Sequence, residues 1–194
     1  MGITSSWRLL CPALVAALLL SAAPAGATPV EWTGNGHFYD VVTANTTWPG
    51  AESAAESTSY EGAVGHLVTI GSAAENLWLT NTFGAGNLGA RWLGGTQAPN
   101  SKEPDGGWSW VTGEPWKYTN WANGEPNNAG GSEDTLEFYN MDADGACWND
   151  RMGGPSSTAW GYVVEYDVTP EPATIALLGS GLVGLILSRR RKVC

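Results

Sequence analysis

Between Gly95 and Asp134 the chain runs for about forty residues through Gly, Pro, Asn and Trp, and this stretch constrains the fold more than any other feature. A loop that long inside a compact domain is either functional or disordered. The alternation Trp108-Ser109-Trp110-Val111 argues for order. Near its far end stand Glu125-Pro126-Asn127, then Gly131-Ser132-Glu133-Asp134, and further on Trp148-Asn149-Asp150. Glu125, Asn127, Glu133, Asn149 and Asp150 offer carboxylate and amide oxygens with no imidazole or thiolate among them, a ligand set for a hard cation such as calcium.

The rest of the chain reads as short elements around that loop. His37 to Val42 is rich in aromatic and β-branched residues and opens as a strand. Thr47 caps a helix that starts at Trp48-Pro49 and continues to about Tyr60. Val64 to Ile70 is a second strand. Ser72-Ala73-Ala74-Glu75 is a capping box that opens a helix to about Thr82, with Leu77, Trp78 and Asn81 on its apolar stripe. Arg91 to Gly95, Thr135 to Tyr139, Ala146 to Asn149 and Trp160 to Tyr166 complete the strands. The expectation is an α+β fold of two helices and short antiparallel strands. The chain has 11 Trp and 26 Gly, so large aromatic anchors joined by irregular chain should make the core.

The ends carry export signals. Met1 to Ala27 has basic Arg8, an apolar run from Leu9 to Leu20 and the small-x-small site Ala25-Gly26-Ala27, the pattern of a secretory signal peptide. Residues 28–168 then form one domain. Beyond Asp167 come Pro170-Glu171-Pro172, an apolar run from Ala173 to Leu187, and Arg189-Arg190-Arg191-Lys192. As a helix that run spans about 22 Å, short of the roughly 30 Å hydrocarbon core. Between Thr28 and Thr169 four basic residues face eighteen acidic ones, a net of −14, which excludes nucleic acid as a partner. The domain holds Cys147 alone, so it contains no internal disulfide. A small buried side chain or a reactive thiol are both open there.

Glu125-Pro126-Asn127, Glu133-Asp134 and Trp148-Asn149-Asp150 resemble the calcium and sugar site of C-type lectin domains. Trp92-Leu93-Gly94-Gly95 is similar to that family's WIGL element, and Gly65 to Ile70 matches the segment before it, so the resemblance runs from His37 to Tyr166. It implies the C-type lectin-like fold with a long calcium- and sugar-binding loop, and a binding protein rather than an enzyme. It implies Ca2+ on Glu125, Asn127, Glu133, Asn149 and Asp150, and sugar on Glu125, Asn127, Glu133 and Asn149. The Glu-Pro-Asn order is similar to the version that takes mannose-type sugars, with a cis Pro126. The family's cysteine positions fall at Ala55, Val164 and Thr135, with no counterpart just after Asp150. Asn128 and Asp134 sit where some relatives hold an auxiliary calcium, but Thr96 to Asp105 offers no clear matching ligands.

The tail, residues 169–194, resembles the PEP-CTERM sorting signal of Gram-negative bacteria, which implies recognition by an exosortase, membrane attachment before processing, and an exported, surface-exposed domain. A mannose-type glycan or exopolysaccharide is the implied partner. Two other readings stand beside the lectin: a calcium-independent adhesion module of the matrix or biofilm, and a carbohydrate-active enzyme with Glu125 and Glu133 as paired carboxylates. Trp116 and Trp121 are either packing anchors or sugar-stacking faces. His37 and His66 are expected on strands, partly buried and hydrogen-bonded.

Overall fold

The computed structural model describes residues 28–139 and 147–169. The signal segment 1–27, Ala146 at the start of one expected strand, and the tail from Pro170 onward lie outside the described residues.

The first element is a short strand, β1 (Val30–Trp32), paired antiparallel with β2 (His37–Thr46). Next come α1 (Trp48–Glu56) and a small hairpin, β3 (Ser59–Tyr60) and β4 (Ala63–Leu67). Helices α2 (Ala73–Phe83) and α3 (Ala85–Leu88) lead to β5 (Arg91–Gln97). After β6 (Trp108–Trp110) and a 3-10 turn (Ala129–Gly131) follow β7 (Thr135–Phe138), β8 (Trp148–Arg151) and β9 (Ala159–Tyr166). The sheet order is β1-β2-β9-β5-β7-β8, with β4 also on β9 and β6 on β5. The fold is α+β. The four-residue α3 adds a helix to the two expected, and β5 pairs with β9 in parallel, an exception to the antiparallel rule.

Strand β9 organises the molecule because it pairs with β2, β4 and β5. Its alternate side chains feed two cores, as the two-residue period of a strand requires. Val163 packs with Tyr39, Leu93, Phe138 and Trp148, whereas Tyr162, Val164 and Tyr166 pack with Trp48, Ala51, Ala55, Leu67 and Trp92. Large tryptophans keep a partner for the indole N–H: Trp48 donates to Leu93 O at 2.8 Å and Trp92 to Thr46 O at 2.8 Å.

Thr47 caps α1 through its Oγ1, which accepts from Gly50 N. The helix stops at Glu56, short of Tyr60, because Ser59 and Tyr60 pair with Val64 and Ala63 around a turn with positive φ at Glu61 and Gly62. Ser72 caps α2 by accepting from Glu75 N, but Glu75 reaches to Gly71 N rather than to the cap residue's own N–H. The expected stripe on α2 is corrected: Leu77 and Asn81 are exposed and Trp78 half-buried, while Asn76 and Leu79 face inward. Asn76 is inside because its Oδ1 accepts from the buried Trp148 Nε1 at 3.0 Å. At the family's bridge positions, Ala55 and Val164 are fully buried in one cluster.

Candidate functional site

The long loop pairs with β5 only through β6, and beyond it aromatic packing holds the chain. Trp116 lies 4.5 Å from Trp110, 5.8 Å from Trp108 and 6.0 Å from Trp148, ring centre to ring centre, and Trp121 lies 5.0 Å from Trp108. Trp116 and Trp121 are therefore packing anchors. Backbone bonds then run the loop alongside β8: Trp148 N donates to Asn120 O at 2.7 Å, and Ala122 N to Trp148 O at 2.8 Å. Glu125 N donates to Ala122 O at 3.0 Å, closing the turn before a cis Glu125-Pro126 bond.

That path sets the loop against the end of β8. Asp150 is fully buried, and its two oxygens accept from Asn127 N at 3.0 Å and Asn128 N at 2.7 Å. Asn128 takes the left-handed conformation that Asn tolerates, and its Oδ1 accepts from Glu133 N at 3.0 Å. Glu133 Oε2 accepts in turn from Ala129 N at 2.7 Å. Two acids on opposite sides of the loop are thus fixed by its own backbone.

Glu125 is different. Its Oε2 is buried and has no hydrogen-bond partner. Burial, the charge and close contact of Asp150, and the charge of Glu133 hold its carboxyl above the usual range. Burial and the Asp150 charge likewise raise Glu133. Acids gathered in this way with an orphaned oxygen are short of positive charge, and oxygen donors of this kind fit a hard divalent cation.

Asn149 lies next to Asp150 on β8 but points to Glu137, donating from Nδ2 to Oε1 at 3.2 Å. Glu137 is buried and receives Arg151 at 2.7 Å through its other oxygen. Burial nevertheless keeps the Glu137 carboxyl above its usual range, against the pull of Arg151. Asn127 is exposed at the loop surface. The structure thus joins Asn127 to Asp150 and Glu133 to Asn128 through loop backbone bonds, sets the Glu125 carboxyl against Asp150, and turns Asn149 to Glu137.

The sequence offered Asn128 only for an auxiliary calcium and did not offer Glu137 at all. Glu137 enters through the β7–β8 register, which places it opposite Asn149. The upstream loop also comes closer than its sequence suggested. Asn100 and Glu103 line a cavity of about 180 Å3 together with Asn128, Glu133 and Asp134.

Residues 44–159 match the lectin C-type domain family, and residues 168–192 match the PEP-CTERM protein-sorting motif. The chain belongs to the C-type lectin domain family. Several relatives are named as lectins, among them ladderlectin from Oncorhynchus mykiss, and the sorting motif marks the chain as exported and surface-sorted. Among relatives, halomucin from Haloquadratum walsbyi is 32% identical over 145 residues, 68% of this chain but 1% of halomucin's own length. Among solved structures, the EPNH mutant of CEL-I from Cucumaria echinata is 30% identical with a TM-score of 0.58, covering 73% of this chain and 98% of that one. The cow CD23 carbohydrate-recognition domain, solved in the presence of a GlcNAc2Man3 oligosaccharide, is 28% identical with a TM-score of 0.56 over 69% of this chain and 90% of that one.

The remaining sequence expectations concern isolated residues. Cys147 is half-buried beside Trp148. His37 and His66 stand on β2 and β4, partly buried and hydrogen-bonded, His37 to Glu165 and His66 to Leu67 O and Asp167.

Proposed function

We propose that this chain is an exported lectin that binds mannose-type glycans through a calcium ion held by Glu125, Asn127, Glu133, Asn149 and Asp150. The observation that carries this reading is the buried, unpartnered Glu125 Oε2 beside the carboxyl groups of Asp150 and Glu133. Calcium there supplies open coordination positions for two neighbouring sugar hydroxyls.

The chain's own groups supply orientation. Glu125 and Glu133 accept from hydroxyls, while Asn127 and Asn149 donate through amide nitrogen. The Asn149 amide has a second N–H beyond the one given to Glu137. Asp150 is committed to the loop backbone and keeps the loop shaped for the ion. One likeness supports the sugar class: the CD23 domain was solved in the presence of a mannose-containing oligosaccharide.

The division of labour along the chain is a signal peptide at 1–27, a lectin domain at 28–168 and an exosortase-directed sorting segment at 169–194. Single-sugar binding to one such site is weak, so clustered display at the surface supplies avidity. Exopolysaccharide is the second candidate ligand.

Calorimetry on the full chain tests this reading: calcium is titrated first, then a mannose-type ligand, each with and without chelator. Calcium uptake followed by chelator-sensitive sugar binding is expected. Calcium without sugar, or partner binding that survives chelator, would support the adhesion module instead. On a glycan array, Glu125→Gln with Asn127→Asp should shift preference from mannose toward galactose.

A further inference from the structure

A second cluster of titratable groups lies where β2, β4 and β9 meet, and the lectin reading makes no use of it. The β2–β9 register sets Tyr39 opposite Glu165, and the β4–β9 register sets His66 opposite Glu165. The two-residue period of a strand then brings His37 and Asp167 to the same face. His37 Nδ1 lies 2.7 Å from Glu165 Oε1 and 3.1 Å from Asp167 Oδ1, and His66 Nε2 lies 3.1 Å from the same Asp167 oxygen. The ligand atoms of His37, Glu165 and Asp167 all fall within 4.8 Å of one another.

The donors do not suffice for the acceptors. His66 Nδ1 lies 2.9 Å from Leu67 O, and a carbonyl only accepts, so the proton of a neutral ring sits there. Its Nε2 holds a hydrogen for the carboxylate only when the ring is charged. His37 Nδ1 has at most one hydrogen for two carboxylate oxygens. Glu165 is 1% exposed and is already fixed by Thr69 N at 2.8 Å and Tyr39 Oη at 3.0 Å. Burial first, and then the Glu165 charge, hold the carboxyls of Glu75 on α2 and of Glu114 in the chain after β6 above the usual range.

These features match a metal site. A carboxylate oriented by separate donors, as Glu165 is by Thr69 N and Tyr39 Oη, is the usual condition of a metal ligand. Tetrahedral zinc with bonds of about 2.0–2.1 Å separates its ligand atoms by about 3.3 Å, and His37 Nδ1 stands 2.7 Å from Glu165 Oε1 and 3.1 Å from Asp167 Oδ1. Imidazole with carboxylate favours zinc-class ions, in contrast to the all-oxygen loop. We propose that His37, Glu165 and Asp167 form a three-ligand site for a divalent transition metal of the zinc class, with His66 steadying Asp167 from outside it. It ties three strands together at the point where the chain leaves β9, in a domain without a disulfide.

The test titrates untagged, chelator-stripped full chain with Zn2+ by calorimetry and with Co2+ by visible absorption. One equivalent of zinc and an intense tetrahedral cobalt band are expected. His37→Gln with His66→Gln should weaken zinc at least 100-fold, whereas Glu133→Gln in the loop should leave it unchanged. Asp167→Asn, whose side chain is 46% exposed, guards against misfolding: it should weaken zinc at least tenfold with the far-ultraviolet dichroism of the parent. Zinc binding untouched by these variants would overturn the proposal. So would absence of zinc uptake by the parent, with both imidazoles protonated at neutral pH by NMR.

Discussion

The Tyr39 hydroxyl lies 2.7 Å from Glu75 Oε1 and 3.0 Å from Glu165 Oε1, and it has one hydrogen for both. Burial, helped by the Glu165 charge, pushes the Glu75 carboxyl up to about 7. A carboxyl raised in the folded state contributes stability that is fully present below the ordinary carboxylate range and is lost as pH rises through about 7. In chelator, the melting temperature of the parent should therefore fall between about pH 5 and pH 8, and Glu75→Gln should flatten that fall. An unchanged slope in the variant would place the titration elsewhere. At the loop, Glu125→Gln should weaken calcium at least tenfold in calorimetry, about 1.4 kcal/mol. Without calcium the same variant should be no less stable than the parent, because it removes one of several acids that raise one another. Residue chemistry of this kind was legible where the oxygen-bearing side chains are adjacent in sequence, as in Glu125-Pro126-Asn127. Glu137 was not, because its part depends on Asn149 across a strand pair.

Among the elements, β9 tolerates the least change. Gly161 has φ +156°, and a Cβ there would overlap the Val42 carbonyl oxygen of β2. Gly161→Ala should cost roughly 3 kcal/mol or more in urea unfolding or prevent soluble expression. The cap of α1 is a milder case: Thr47→Ala should cost about 1 kcal/mol by the same measurement. Helix starts were readable because a cap residue and its N–H partner are three positions apart. The buried face of α2 was not. Leu77 looks as apolar as Leu79, and only the neighbouring Trp148, whose indole calls for Asn76, decides which side turns inward.

For the whole molecule, stability rests on two cores joined through β9 and not on disulfides. Ala55 and Val164 pack together, and both press on the space beside Gly65. Oxidised Ala55→Cys/Val164→Cys should form a bridge and raise unfolding stability by about 2–4 kcal/mol, with thiol titration confirming closure. Calcium at about 100 times its dissociation constant should add about 2.7 kcal/mol, read as a chelator-reversible rise in melting temperature. The sequence by itself determined the α+β class, the family and the sorting segment, because those signals are local: residue types, caps and short motifs carry them. The tertiary structure alone decided the parallel β5–β9 pair, the place of Asn149 beside Glu137, and the meeting of His37 with Glu165 across 128 positions. Strand registers set those contacts, and a register is fixed only when distant segments bury their faces together.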